Sequence, residues 1–122
     1  MSLAIESGHT GHLLLLNEGT TGKTYCLCPS WFAPDTCLQT GRNYLPQVDS
    51  RYRSFEISGN PGREHLLAII SESPLGLDWL PRDPRIPAHV LTPADIDVLL
   101  DRLRDLKDDQ WMALSTYFDV IA

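Results

Sequence analysis

HLLLLN, residues 12–17, is the stretch whose reading decides the fold. Its apolar run lies between Gly11 and Gly19, and its length suits a strand rather than a helix. Successive strand side chains point to opposite faces, so four leucines in a row ask for cover on both faces of the sheet. His12 to Asn17 is therefore read as the first strand and as part of the core.

The next residues raise a different question. NEGTTGKT, residues 17–24, ends as a phosphate-binding loop ends. That loop needs an earlier glycine with four residues between it and the Gly22-Lys23-Thr24 ending, which falls on Asn17. It also needs to open a helix whose first amides meet the phosphates, whereas Lys23 to Cys28 reads as a strand. There Tyr25 and Leu27 alternate with Thr24, Cys26 and Cys28. The segment is read as the tip of a β-hairpin with a loop of about five residues.

Working outward, PSWFAPDTCLQTG from Pro29 to Gly41 has no period and reads as a long loop over the end of the sheet. Arg42 to Leu45 is a short extended piece closed by Pro46. Tyr52 to Ser58 alternates as a strand does, the turn Gly59-Asn60-Pro61-Gly62 follows, and Glu64 to Ser71 is a second, central apolar strand. Prolines at 74, 81, 84, 87 and 93 make residues 75–91 a strap too rich in proline for regular structure, with Leu75, Leu77, Trp79, Leu80, Ile86 and Val90 as its apolar contacts.

Thr92 as N-cap, Pro93 at the first position and Asp95 at the third predict a helix over 92–107. Ile96, Leu99, Leu100, Leu103 and Leu106 form its apolar stripe. Residues 111–121 read as a closing strand, with a short helix over 108–115 as the alternative.

The bulk properties narrow the function classes. A chain of 122 residues with 43% hydrophobic and 21% charged residues is one domain with a real core. A net charge of -6 argues against nucleic acid and anionic lipid as partners. The apolar runs are too short to span a bilayer, and the first residues lack a signal-peptide pattern. Three cysteines, an odd number, fit a reducing compartment, so the cytoplasm is expected.

Each chemical candidate competes with a structural reading. Cys26, Cys28 and Cys37 with His9 and His12 could surround a zinc ion, but one residue between the first two is a poor ligand spacing and core packing suits them better. The two sulfurs are expected on one strand face. Neither Cys37 nor a serine joins His9, His12, His65 or His89 in a recognisable nucleophile signature. Asp95, Asp97, Asp101 and Asp105, among Arg102 and Arg104, look like a solvated helix face. Trp31 and Phe32 either plug the end of the sandwich or serve as recognition anchors.

The landmarks from Gly11 to Pro74 resemble those of the bacterial domain-of-unknown-function family numbered 4384. They are the strand HLLLLN, then Tyr25-Cys26-Leu27-Cys28-Pro29, Gly41 before Leu45-Pro46, Phe55, and Gly62-Arg63-Glu64 leading into LLAIIS and Pro74. Ser30 stands where the family commonly has asparagine, and Cys28 where it has a bulkier apolar residue. The resemblance implies a small β-sandwich accessory module without established activity, carried by bacterial signalling proteins or peptidases, including caspase-like peptidases and serine/threonine kinases. It also implies a piece of a longer protein.

Together these readings predict a mainly β fold: a small antiparallel β-sandwich or half-barrel with one C-terminal amphipathic helix. Residues 11–74 form the β core of a single domain, 1–122. The expected function is non-catalytic docking to a protein partner or a neighbouring domain of the parent chain, with no cofactor and no metal. The expected contacts are the loop from Pro29 to Gly41, with Trp31 and Phe32, and the surface around Arg42, Tyr44, Arg51 and Arg63. The alternative is a small-ligand or peptide sensor with a pocket at the open end of the sandwich, lined by Tyr25, Trp31 and Tyr44.

Overall fold

The computed structural model describes residues 3–20, 22–30, 35–45, 62–77, 79 and 89–120. In chain order the elements are β1 (Leu3–Ser7), β2 (Gly11–Glu18), β3 (Thr24–Cys28), β4 (Cys37–Leu38), β5 (Gly41–Leu45), β6 (Gly62–Ser71), β7 (His89–Val90), α1 (Pro93–Arg104) and β8 (Trp111–Val120). The fold is mostly β. One sheet has the order β7-β3-β2-β6-β8, with β4 also paired to β2, and a second sheet consists of β1 and β5. Every pairing is antiparallel, and neither sheet closes into a barrel.

The leucine run of β2 explains the layering. Leu13 and Leu15 join Leu27, Leu38, Leu45, Leu66 and Ile70 in a core beneath the small sheet, with Ile5 of β1 packed against it. Leu14 and Leu16 join Cys26, Ile69, Leu99 and Leu103 in a second core beneath α1. The large sheet thus lies between the small sheet and the helix. Each fully buried leucine contributes roughly 1.5–3 kcal/mol relative to exposure, so both covering layers matter.

Register keeps the two cores apart. Leu13 faces Ile70, Leu14 faces Ile69 and Leu15 faces Ala68 across the β2–β6 pair. Gly11 leaves little room for a side chain against β6, since a Cβ there would lie 3.0 Å from Cγ2 of Ile70 and 3.1 Å from the Ser71 carbonyl oxygen. A β-bulge between Leu15 and Leu16 interrupts the β2–β3 ladder. Its extra residue breaks the alternation of β3, so Leu27 and Cys28 both join the core beneath the small sheet while Cys26 joins the one beneath the helix. The expectation that both cysteines share one face is corrected by this bulge.

Three short strands also depart from the sequence reading. β1 precedes the strand taken as first, because LAIES is too brief to stand out by pattern yet pairs along its whole length with β5. Cys37–Leu38 is not simply loop: it pairs with Gly11 and His12. His89–Val90 pairs with β3 despite the surrounding prolines, and Leu91 donates its N–H to the Thr24 carbonyl at 2.8 Å. The expected strand at Tyr52 to Ser58 lies outside the described residues.

Helix α1 begins as its sequence indicates. Thr92 caps it, accepting the Asp95 N–H at 3.2 Å, while the Asp95 carboxylate accepts the Thr92 N–H at 2.9 Å. Leu99 and Leu103 are buried, whereas Leu100 is 43% exposed. The stripe is narrower than expected, because α1 covers β2 and β6 and leaves its Leu100 flank toward β8 open. Of the two readings for the C-terminal segment, the strand is the one formed, and it pairs with all ten residues of β6.

Candidate functional site

The loop that ends like a phosphate-binding loop is a tight hairpin tip. Gly19 donates to the Lys23 carbonyl at 2.8 Å and Gly22 to the Gly19 carbonyl at 3.0 Å. Gly22 has φ 85°, a left-handed conformation that glycine adopts without steric cost. The loop leads into β3 rather than a helix and spends the Gly19 and Gly22 amides on its own carbonyls, so these amides meet no phosphate at a helix N-terminus.

The cysteines are held as thiols. Burial pushes Cys26 up to about 12, and burial together with the neighbouring Cys26 and Asp35 raises Cys28 further. Cys37 is exposed on β4 opposite His12, but partial desolvation and the Asp35 carboxylate raise it as well. A thiol rather than a thiolate is a weak nucleophile and a poor ligand. Among the described residues no three His, Cys, Asp or Glu side chains are grouped to hold a metal ion, and no helix is long and apolar enough to cross a membrane.

The expected binding residues fall on different surfaces. On the outer face of the small sheet, Arg42 pairs with Glu6 across the strands at 3.0 Å. Its guanidinium donates to Tyr44 and to Glu6, and these hydrogen bonds favour its charged form. Tyr44 is 61% exposed beside it. Arg63 lies on the large sheet, in register with the residues that face the helix, and its guanidinium carbon sits 3.9 Å from the centre of the Tyr117 ring. Arg42 and Arg63 are therefore not brought together. Tyr25 lies on β3 opposite Asn17, away from the outward-facing Tyr44. Trp31, Phe32 and Arg51 lie outside the described residues.

Two features escaped the sequence reading. At the start of α1, Nε2 of His89 lies 3.2 Å from Oδ2 of Asp95, the His89 ring stacks on Trp79 with centroids 5.7 Å apart, and the Trp79 indole donates to the Asp95 carbonyl at 3.1 Å. These contacts tie β7 and the strap to the helix cap. The Thr92 N–H above all holds the Asp95 carboxyl below the usual carboxylate range against the opposing effect of burial, with His89 assisting.

The second feature is the side of the sheet that α1 leaves open. A cleft of about 390 Å³ runs between the helix and β8, lined by Leu67 and Ile69 from β6, Ile96, Leu100 and Leu103 from α1, and Trp111 from β8. Beyond it β8 forms the edge of the sheet, with Met112 49%, Leu114 44% and Tyr117 55% exposed. The apolar residues of β8 were legible, but their exposure depends on β8 being an edge, which no local pattern states.

A family model described as "Domain of unknown function (DUF4384)" matches residues 1–74. No curated protein and no solved structure matches the chain.

Proposed function

Since the chain belongs to the DUF4384 family of domains of unknown function, we propose that it is a non-catalytic accessory module that docks a protein partner, such as a neighbouring domain of its parent chain. One observation carries this reading: the ten-residue edge strand β8 has no strand on its outer side among the described residues. Edge strands are normally shielded by prolines, lysines or bulges. β8 has none of these and a single charged residue, Asp119, near its end. A partner adding an extended segment to this edge would gain main-chain hydrogen bonds and cover Met112 and Leu114.

The surface around Arg42 and Tyr44 is the second contact of the proposal. Three free thiols are consistent with a cytoplasmic parent, and a signalling or peptidase parent is part of the same reading. The test is titration of the protein with the separately purified neighbouring domains of its parent chain, by calorimetry. Binding that is lost in a Met112→Lys/Leu114→Lys variant and only weakened in Arg42→Ala supports β8 as the main docking edge and the Arg42 surface as the second contact. Absence of binding by every neighbouring domain, or binding unchanged in the double variant, refutes it.

A further inference from the structure

The cleft beside α1 is aliphatic along its length and polar at one end. Trp111, in the row of Ser71, stands at one end, and the row of His65 stands at the other. Six residues of β6 separate these rows, or about 20 Å at the usual rise per residue. Leu67 and Ile69 line the sheet side between them, and Ile96, Leu100 and Leu103 line the helix side. The volume of about 390 Å³ falls in the range of ligand pockets, roughly 300–1,000 Å³.

The polar end is a row of hydrogen-bond acceptors drawn from three neighbouring strands. Register sets Thr24 of β3 beside Glu18 of β2 and Glu18 beside His65 of β6, and all three line the cleft. Among the described residues the Glu18 carboxylate meets no cation, and neither the Thr24 hydroxyl nor the His65 ring makes a hydrogen bond. The lining holds no Lys or Arg. Arg63 stays outside it, over the Tyr117 ring and in register with Asp119. Glu18 therefore sets the sign of the potential at this end, and the net charge of -6 acts in the same direction.

A carboxylate, a hydroxyl oxygen and the acceptor nitrogen of a neutral imidazole match the three N–H donors of a primary ammonium. We propose that this cleft binds a linear aliphatic primary amine, its chain against Leu67, Ile69 and Leu100 and its ammonium among Glu18, Thr24 and His65. A carboxylate head would meet Glu18 with like charge, and a quaternary ammonium would bring no N–H to the three acceptors. The site stands apart from docking at β8, because Met112 and Leu114 alternate with the cleft-lining Trp111 and Ala113 and so belong to the opposite face of that strand.

The experiment is calorimetric titration of the whole chain at pH 8 with decylammonium below its micelle concentration, with methyl NMR to locate the chain. The expected result is saturable one-to-one binding, tighter than that of decanol, decanoate or decyltrimethylammonium, with shifts at the Leu67, Ile69 and Leu100 methyls. Glu18→Gln should weaken decylammonium binding about fivefold, the scale of a partly exposed ion pair, and leave decanol binding unchanged. Thr24→Val makes the same test of the head group if the first variant fails to fold. Ala113→Phe, which fills the cleft from β8, should abolish saturation while cooperative unfolding is kept, and Leu100→Ala should weaken binding of every ligand in the series alike. Failure of decylammonium to saturate, decanoate or decyltrimethylammonium binding as tightly as decylammonium, or decylammonium affinity unchanged in a folded Glu18→Gln or Ala113→Phe variant overturns the proposal.

Discussion

Residues 1–74 and residues 75–120 cover opposite faces of the same sheet, and they do so by different means. The first region matches the family model and lays the small β1–β5 sheet over Leu13, Leu15 and Ile70. The second places Leu75, Leu77, Leu91 and α1 over Leu14, Leu16 and Ile69, and adds β8 beside β6. The difference shows that the family region by itself is an incomplete core. Two of the four leucines in β2 point to a face that, among the described residues, the C-terminal region covers.

The largest expected effect follows directly. Truncation after Pro74 should abolish cooperative unfolding, because losing the helix-side core removes more than the net stability of a typical domain, about 5–15 kcal/mol. Dye binding to exposed apolar surface and size-exclusion chromatography would show it. A monomeric fragment with a sharp unfolding transition would break the comparison.

Next in size are single leucines. Leu14→Ala and Leu15→Ala should each cost about 2–5 kcal/mol in urea unfolding, one through each core. A near-neutral Leu14→Ala would mean that the helix side contributes little. The pair of values measures how evenly the two layers share the sheet.

The helix cap should give a smaller and pH-dependent effect. Asp95→Asn should cost on the order of 1 kcal/mol at neutral pH. Because the folded carboxyl is held below its unfolded value, the stabilisation is present above the unfolded aspartate pKa, near 4, and is lost as the pH falls through the folded value. Chemical denaturation between pH 7 and pH 2 should therefore show a stability difference between wild type and Asp95→Asn that shrinks in acid. A difference that stays constant across that range would remove Asp95 as a titrating cap.

The smallest effect concerns the thiols. In native protein at pH 8 a thiol reagent should modify Cys37 slowly and leave Cys26 and Cys28 untouched, while all three react in denaturant. Cys26 sits in one core and Cys28 in the other, so native modification of either would report opening of that layer. Prompt native labelling of all three would mean that neither layer is tightly closed.

Much of this was legible in local sequence. The run HLLLLN states a strand covered on both faces, Thr92-Pro93-Ala94-Asp95 states a helix start, and the glycines at 19 and 22 state a turn rather than a phosphate site. Each depends on contacts within a few residues, where composition and spacing carry the physics. β1, β4 and β7 were not legible, since strands of two to five residues gain their stability from the partner they pair with. The bulge that separates Cys26 from Cys28 is likewise a property of the β2–β3 pair and has no signature in β3.

The sequence by itself determined that this protein is mainly β with one capped C-terminal helix, because periodicity and capping are local. Only the tertiary structure decided which region covers which face, that Arg42 and Arg63 stand apart, and that α1 leaves a cleft beside β8, whose outer edge has no partner strand among the described residues. Those outcomes follow from strand order and register, which are set by contacts between residues far apart in the chain.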